Sequence, residues 1–343
     1  MVLTRRDTPR PDCAKVHFPD TKEMDEMAHD RRFRFGVHTS DAAPGTAWAD
    51  AARRIESMGF STLFLRDHFD RQLGPIAAMA TAAAATERLN VGCLVFDNDY
   101  RHPLVLAKEL ATIAHFSGGR VEVGLGAGWM APDYEQAGMD FDPPGVRVSR
   151  MEDAIPIIKG LLAGDEVNAR GDHYTITGHT AYPVPDAMPP IMIAGGGPRM
   201  LKIAAREADI IGLNPARKSN TAWEDQNLPD ATADATDRKI GWIRDAAGTR
   251  YADIEMSIVV PFVIVTDDRE GTAAAIAGSL PPDAAADLTA DGVLSSPHVL
   301  IGSVDQICAT MQERRDRWDL SYYDFNDDSI DTVAPIVERL AGT

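Results

Sequence analysis

Two groups of residues in this sequence have types and spacings that could do chemistry. The first is a pair of glycine-rich loops, "GLGAGW" at 124–129 and "AGGGPRM" at 194–200. Gly195, Gly196 and Gly197 follow an apolar run and precede Pro198, after which Arg199 to Ala208 reads as a helix. Proline suits a first helical position, where no backbone donor is needed. Without Cβ atoms these glycines let backbone N–H groups approach a ligand, and the unused donors of a helix start favour an anion. The chemistry is phosphate binding, with a ligand-free turn between strand and helix as the alternative. The second group is polar: His38, Asp67, His68, Asp97, Asn98, Asp99, Asn214, Asp324 and Asn326 each stand at the end of a strand-like run, as does Trp129. Imidazoles so placed can exchange protons near neutral pH. Asp97 and Asp99 have no histidine at ligand spacing and Arg101 nearby as a counter-ion, so they read as turn chemistry rather than a metal site. His102, His115, His173 and His179 show no metal-binding spacing either, and no metal is expected.

The elements that must position these residues repeat. Strand-like runs recur at "RFRFGVHTS", "STLFLRDHF", "LNVGCLVFD", "RVEVGLGAGW", "PPIMIAGGG", "ADIIGLNPA", "IEMSIVVPFVIV" and "LSYYDFND", separated by helical patterns such as "AWADAARRIESMGF". Parallel strands joined by helical crossovers, eight times over, predict an α/β fold closed as a (β/α)8 TIM barrel, with the chemistry at the carboxyl ends of its strands. Two stretches exceed the repeat, 164–190 after helix four and 266–299 after strand seven, and are expected as insertions. Residues 1–32 read as a loosely ordered extension preceding a barrel domain at 33–343.

Composition narrows the class of partner. The chain has 343 residues, 34 basic and 52 acidic, for a net charge of −18. That balance argues against nucleic acid or an anionic membrane as partner. Cys13, Cys93 and Cys308 are odd in number and lack CxxC spacing, and the start "MVLTRRDTPRPD" lacks the apolar stretch of a secretion signal. A cytoplasmic protein is expected, with no membrane span and with a homodimer as the assembly.

The motifs "RDHF", "DNDYRHP", "SGGRVEVGLGAGW", "RMEDAIPIIKGLL", "PPIMIAGGGPRMLKIAAREADIIGLN" and "VLIGSVDQI" resemble the bacterial luciferase-like superfamily, in particular its branch that uses the deazaflavin coenzyme F420. The likeness runs from about Phe33 to the C-terminus. It implies that Gly126, Ala127 and Gly128, with Gly195, Gly196, Gly197, Pro198 and Arg199, surround the coenzyme's phosphate. It implies a non-proline cis peptide between Leu94 and Val95 behind the deazaflavin ring. Asp67, Asp97 and Trp129 fall among the implied cofactor contacts, Asp67 through its backbone. His68 matches the family's histidine beside the reacting carbon and is the expected catalytic residue.

One departure bears on the substrate. Sugar-phosphate dehydrogenases of this branch have an acidic residue after the strand-four glycines, where this chain has Trp129, and an indole cannot supply that proton. The residues that grip the sugar phosphate are only loosely echoed, by Arg217 and His298. Sugar-phosphate oxidation is therefore not expected. His38, Asn98, Trp129, Asn214, Arg217 and His298 are the expected substrate contacts, for a small-molecule or peptide-like substrate. The resemblance implies an F420-dependent oxidoreductase that moves a hydride from reduced deazaflavin to a C=C, C=N or C=O group. A flavin mononucleotide (FMN) monooxygenase of the same superfamily, and a barrel that binds deazaflavin or flavin without turnover, are the alternatives.

Overall fold

Eight parallel strands form a closed ring in the computed structural model, which describes residues 31–217, 227–280 and 288–343. In chain order the strands are β1 (Arg34–Thr39), β2 (Thr62–Leu65), β3 (Asn90–Cys93), β4 (Phe96–Asp97), β5 (Val121–Gly126), β6 (Val167–Arg170), β7 (Thr175–His179), β8 (Ile191–Gly195), β9 (Ile210–Leu213), β10 (Glu255–Val260), β11 (Phe262–Val265), β12 (Val299–Gly302) and β13 (Leu320–Asn326). The barrel runs β1, β2, β3, β5, β8, β9, β10, β13, and β1 pairs with β13 to close it. The predicted barrel and the expected order of its strands are observed. Residues 31–343 make one compact unit whose first barrel strand begins at Arg34, and most of the expected extension lies outside the described residues.

Alternation along each strand divides side chains between two cores. Phe35 and Val37 of β1 face the helices, whereas Arg34, Gly36 and His38 face the barrel axis. The bottom of the barrel is ionic: Arg34 donates to Glu122 at 2.8 Å and to Glu255 at 2.7 Å, and Glu122 also accepts from Thr62 and Tyr322. Above it lies an apolar layer of Phe64, Met192, Ile210 and Tyr322. The ring of Phe64 fits because its neighbours in the sheet are glycines. A Cβ at Gly36 would stand 3.0 Å from that ring, and one at Gly92 would stand 2.7 Å from it. The axis is therefore plugged below, and only the carboxyl ends of the strands are left for a site.

Three details differ from the sequence reading. "IEMSIVVPFVIV" is two strands, because Pro261 has no N–H to continue a ladder; β10 stays in the barrel and β11 pairs with β12 in a separate two-stranded sheet. The second insertion therefore starts at this proline, earlier than 266, and packs around its own small core of Ala273, Leu288, Val293 and Ile301. "LNVGCLVFD" is likewise interrupted: the Leu94–Val95 peptide is cis, as expected, and separates β3 from β4. The first insertion, after helix Pro144–Ala163, is the antiparallel hairpin of β6 and β7.

Candidate active site

Strand β2 ends at Leu65, so Asp67 and His68 are released from alternation and their side chains need not point to opposite faces. His68 turns its Nδ1 to the carboxylate of Asp133, 2.6 Å away, and sets its ring edge-on to Trp129 with centroids 5.6 Å apart. Asp133 is buried, 3% exposed, on the short helix Ala131–Ala137 that follows the first glycine loop, and it also accepts from the Tyr100 hydroxyl at 3.1 Å. The Arg217 guanidinium lies over the indole, 3.2 Å from the ring centroid, and burial lowers its pKa to about 10. Arg217, Trp129, His68, Asp133 and Tyr100 thus form one continuous wall, supplied by loops after four barrel strands.

Behind that wall lies a network of carboxylates. Asp67 accepts both guanidinium nitrogens of Arg101, at 2.6 and 3.0 Å, and the backbone amide of Asp97. Arg101 is therefore the partner of Asp67, while Asp99 pairs with Arg150 at 2.8 Å, which corrects the expectation that Arg101 balances Asp97 and Asp99. Asp97 is 7% exposed, and burial, reinforced by Asp99 and Asp67, pushes its pKa up to about 7 against hydrogen bonds from the Asp99 amide and the Tyr134 hydroxyl. Among the described residues no group of three or more His, Cys, Asp or Glu side chains is placed to hold a metal ion.

The glycine loops serve the protein's own packing more than the sequence suggested. A Cβ at Gly126 would come within 2.4 Å of Val95, and one at Gly128, whose φ is +73°, within 2.1 Å of the Tyr134 hydroxyl. At Gly195 it would meet Met200 at 2.3 Å, and at Gly196 the carbonyl of Asn214 at 2.3 Å. Only Gly197, of the three consecutive glycines, faces space with nothing within 4 Å. It precedes helix Pro198–Glu207, whose start has no side-chain cap. Open space beside Gly197, before an uncapped helix start, suits a phosphate held by main chain. The Arg199 guanidinium does not contribute there: it bonds to Gly145, Ser149 and Glu152 on the outer face.

The remaining expected contacts scatter. His38 sits inside the barrel on Asp324. Asn98 donates to the Tyr174 hydroxyl at 3.1 Å and lines a cleft of about 390 Å3 with Asp99, Arg101 and Arg150. The backbone of Asn214 presses on Gly196. His298 is 7% exposed, donates Nδ1–H to the carbonyl of Val259 at 3.1 Å, and has its pKa lowered to about 4, first by burial. It is a neutral histidine committed to the barrel backbone and not to a ligand. Asp133 and Tyr100 were missed. The usable signal was Asp133 four residues after Trp129, where a proline-started helix brings it back beneath the loop.

A (β/α)8 barrel with an imidazole wall and an uncapped helix start at its mouth defines the class. Residues 31–279 match the family described as luciferase-like monooxygenase, and the chain belongs to that family. It is 32% identical over 166 residues to an F420-dependent glucose-6-phosphate dehydrogenase of Amycolatopsis mediterranei, covering 46% of this chain and 50% of the relative. A protein of the same description from Microbacterium testaceum is 33% identical over 185 residues, covering 51% and 55%. The chain thus spans about half the length of the curated relatives it matches. Among solved structures, an F420-dependent tetrahydromethanopterin reductase from Methanopyrus kandleri superposes with a TM-score of 0.67 at 17% identity, covering 90% of this chain and 100% of that one. An F420-dependent secondary alcohol dehydrogenase gives 0.69 at 18%, covering 90% and 99%. A long-chain alkane monooxygenase gives 0.68 at 13%, covering 90% and 91%. At these identities the structural likenesses establish the fold alone.

Proposed function

We propose that the chain is an F420-dependent oxidoreductase that transfers a hydride between the deazaflavin and a small unsaturated or alcoholic substrate. The observation that carries the proposal is the mouth itself: an open helix start at Gly197 suited to a phosphate, next to a wall of Trp129 and His68 suited to a planar ring. The names of the relatives supply the choice of deazaflavin over flavin. Bound there, the coenzyme would supply hydride chemistry, and its ring carbon in place of the flavin's reactive nitrogen disfavours reaction with oxygen. The protein's part is to hold the phosphate on main-chain donors at Gly197, to seat the ring against Trp129, and to present an oriented imidazole at His68. Sugar phosphate is not the substrate we favour, because Trp129 occupies the place of an acid and His298 is turned into the barrel wall.

Fluorescence titration of the purified protein with F420 and with FMN tests the reading. Binding of F420 tighter than that of FMN is expected. Micromolar FMN binding without detectable F420 binding would overturn it in favour of the monooxygenase alternative. Binding of F420 without turnover across a broad acceptor screen would leave only the binding-protein reading.

A further inference from the structure

The floor of the mouth carries a second imidazole–carboxylate pair. His38 is the next-to-last residue of β1, in register with Phe64 of β2 and Asn326 of β13, and its Nδ1 is hydrogen-bonded to Asp324 on β13. His38 is 6% exposed and Asp324 not at all. One carboxylate oxygen takes the His38 bond, and the other, Oδ2, has no hydrogen-bond partner and lies over Gly36, where a Cβ would come within 2.8 Å of it. A buried carboxylate with one oxygen unsatisfied costs free energy that an apolar residue at the same barrel position would avoid. Glycine at 36 is what lets the carboxylate sit there. The arrangement makes sense as a holder for the imidazole. A carboxylate can only accept, so Nδ1 carries a proton toward Asp324 and Nε2 is turned away from it. That nitrogen has no hydrogen bond among the described residues.

Resting on the F420 reading, we propose that His38, positioned by Asp324, is a second acid–base group beside His68, one that exchanges a proton with the substrate. In reduction of a carbonyl, hydride from the reduced coenzyme forms the new C–H bond. The C=O π pair takes the proton from Nε2–H of the imidazolium, and the Nε2–H bond breaks while Nδ1–H stays on Asp324. Oxidation of an alcohol is the reverse: Nε2 accepts the hydroxyl proton as hydride leaves carbon for the oxidised coenzyme. Charged groups near the pair are few. Arg66, just after β2, lies 3.4 Å from Ser40 and Asn326, and Asp327 bonds the neighbouring Thr39.

The discriminating variant is His38→Asn, whose side-chain amide reproduces Nδ1–H toward Asp324 but deletes Nε2. With acetone and cyclohex-2-enone as probe acceptors, this variant should keep F420 affinity within about twofold and lose kcat by about 10²-fold, with KM little changed. In the full-length protein labelled with 15N-histidine, the His38 ring should show the Nδ1–H tautomer, its Nε2 signal should move when F420 saturates the site, and Asp324→Ala should abolish the tautomer preference. The labelled protein decides even if neither acceptor is reduced. Movement of Nε2 on F420 binding supports the proposal. A His38 ring that does not respond to bound F420, or a His38→Asn variant that turns over either probe at the normal rate, overturns it. Failure of the unsubstituted protein to bind F420 at all would instead refute the coenzyme assignment on which it rests.

Discussion

Nδ1 of His68 lies 2.6 Å from Oδ2 of Asp133, joining the loop after β2 to the helix that follows the first glycine loop. The bond fixes the orientation of the His68 ring beside Trp129. Removing the carboxylate should therefore act on turnover through the imidazole. Asp133→Ala should lower kcat about tenfold, His68→Ala about 10²-fold, and the double variant no more than His68→Ala alone, because residues acting as a unit are not additive. Stopped-flow rates with the acceptor found by screening would check it. Fully additive losses would show that Asp133 does not work through His68.

The glycine loop gives a prediction that separates binding from folding. Gly197→Val should abolish F420 binding with an unchanged melting temperature, since its added atoms enter open space at an ordinary negative φ of −86°. Gly196→Ala should instead lower the melting temperature, because even one Cβ would stand 2.3 Å from the carbonyl of Asn214. Thermal unfolding followed by circular dichroism, with fluorescence titration of F420, distinguishes the two. Normal coenzyme affinity in folded Gly197→Val would remove the phosphate from this loop.

The barrel and its strand order were legible because eight apolar runs alternate with helical patterns at nearly even spacing. So was the location of the site, since strand ends at a barrel mouth are few. What the glycines do was not legible. The same spacing serves a phosphate or a tight approach of the protein's own atoms, and only Gly197 among Gly195 to Gly197 turned out to face space. His298 read as a substrate contact because it loosely echoes a residue that grips the sugar phosphate in the family the sequence resembles. Its hydrogen bond to Val259, 39 residues away in the chain, leaves no local mark. Asp133 could be placed near Trp129 from its spacing, but its pairing with His68, 65 residues earlier in the sequence, leaves no local mark either.

Stability should depend heavily on the ionic floor of the barrel. Glu122 is 2% exposed and accepts from Arg34, Thr62 and Tyr322. Breaking a buried ion pair by deleting one partner leaves an uncompensated charge, so Glu122→Ala should destabilise the protein by about 3–5 kcal/mol. Glu122→Gln, which keeps one acceptor oxygen, should cost less. Urea unfolding at pH 7 would measure both, and an alanine variant as stable as the parent would show that Arg34 is held adequately by Glu255 alone.

Two buried groups should give stability opposite slopes with pH. Asp97 has its pKa raised from 3.8 to about 7, chiefly by burial, so the folded state holds that proton more tightly than the unfolded chain. The stability it contributes is present below about pH 4 and is lost as pH rises through about 7. His298 is the reverse: its pKa falls from 6.5 to about 4, so its contribution is present above about pH 6.5 and is lost as pH falls through about 4. Asp97→Asn, neutral at every pH and still able to accept from Tyr134 and the Asp99 amide, should therefore raise the melting temperature at pH 8, with the gain shrinking toward pH 4. His298→Asn, which can keep the donor to Val259, should do the opposite, protecting at pH 4 and having little effect at pH 8. Melting temperatures of the three proteins across pH 4–8 would test both signs at once. Parallel curves would mean that neither group changes its proton affinity on folding.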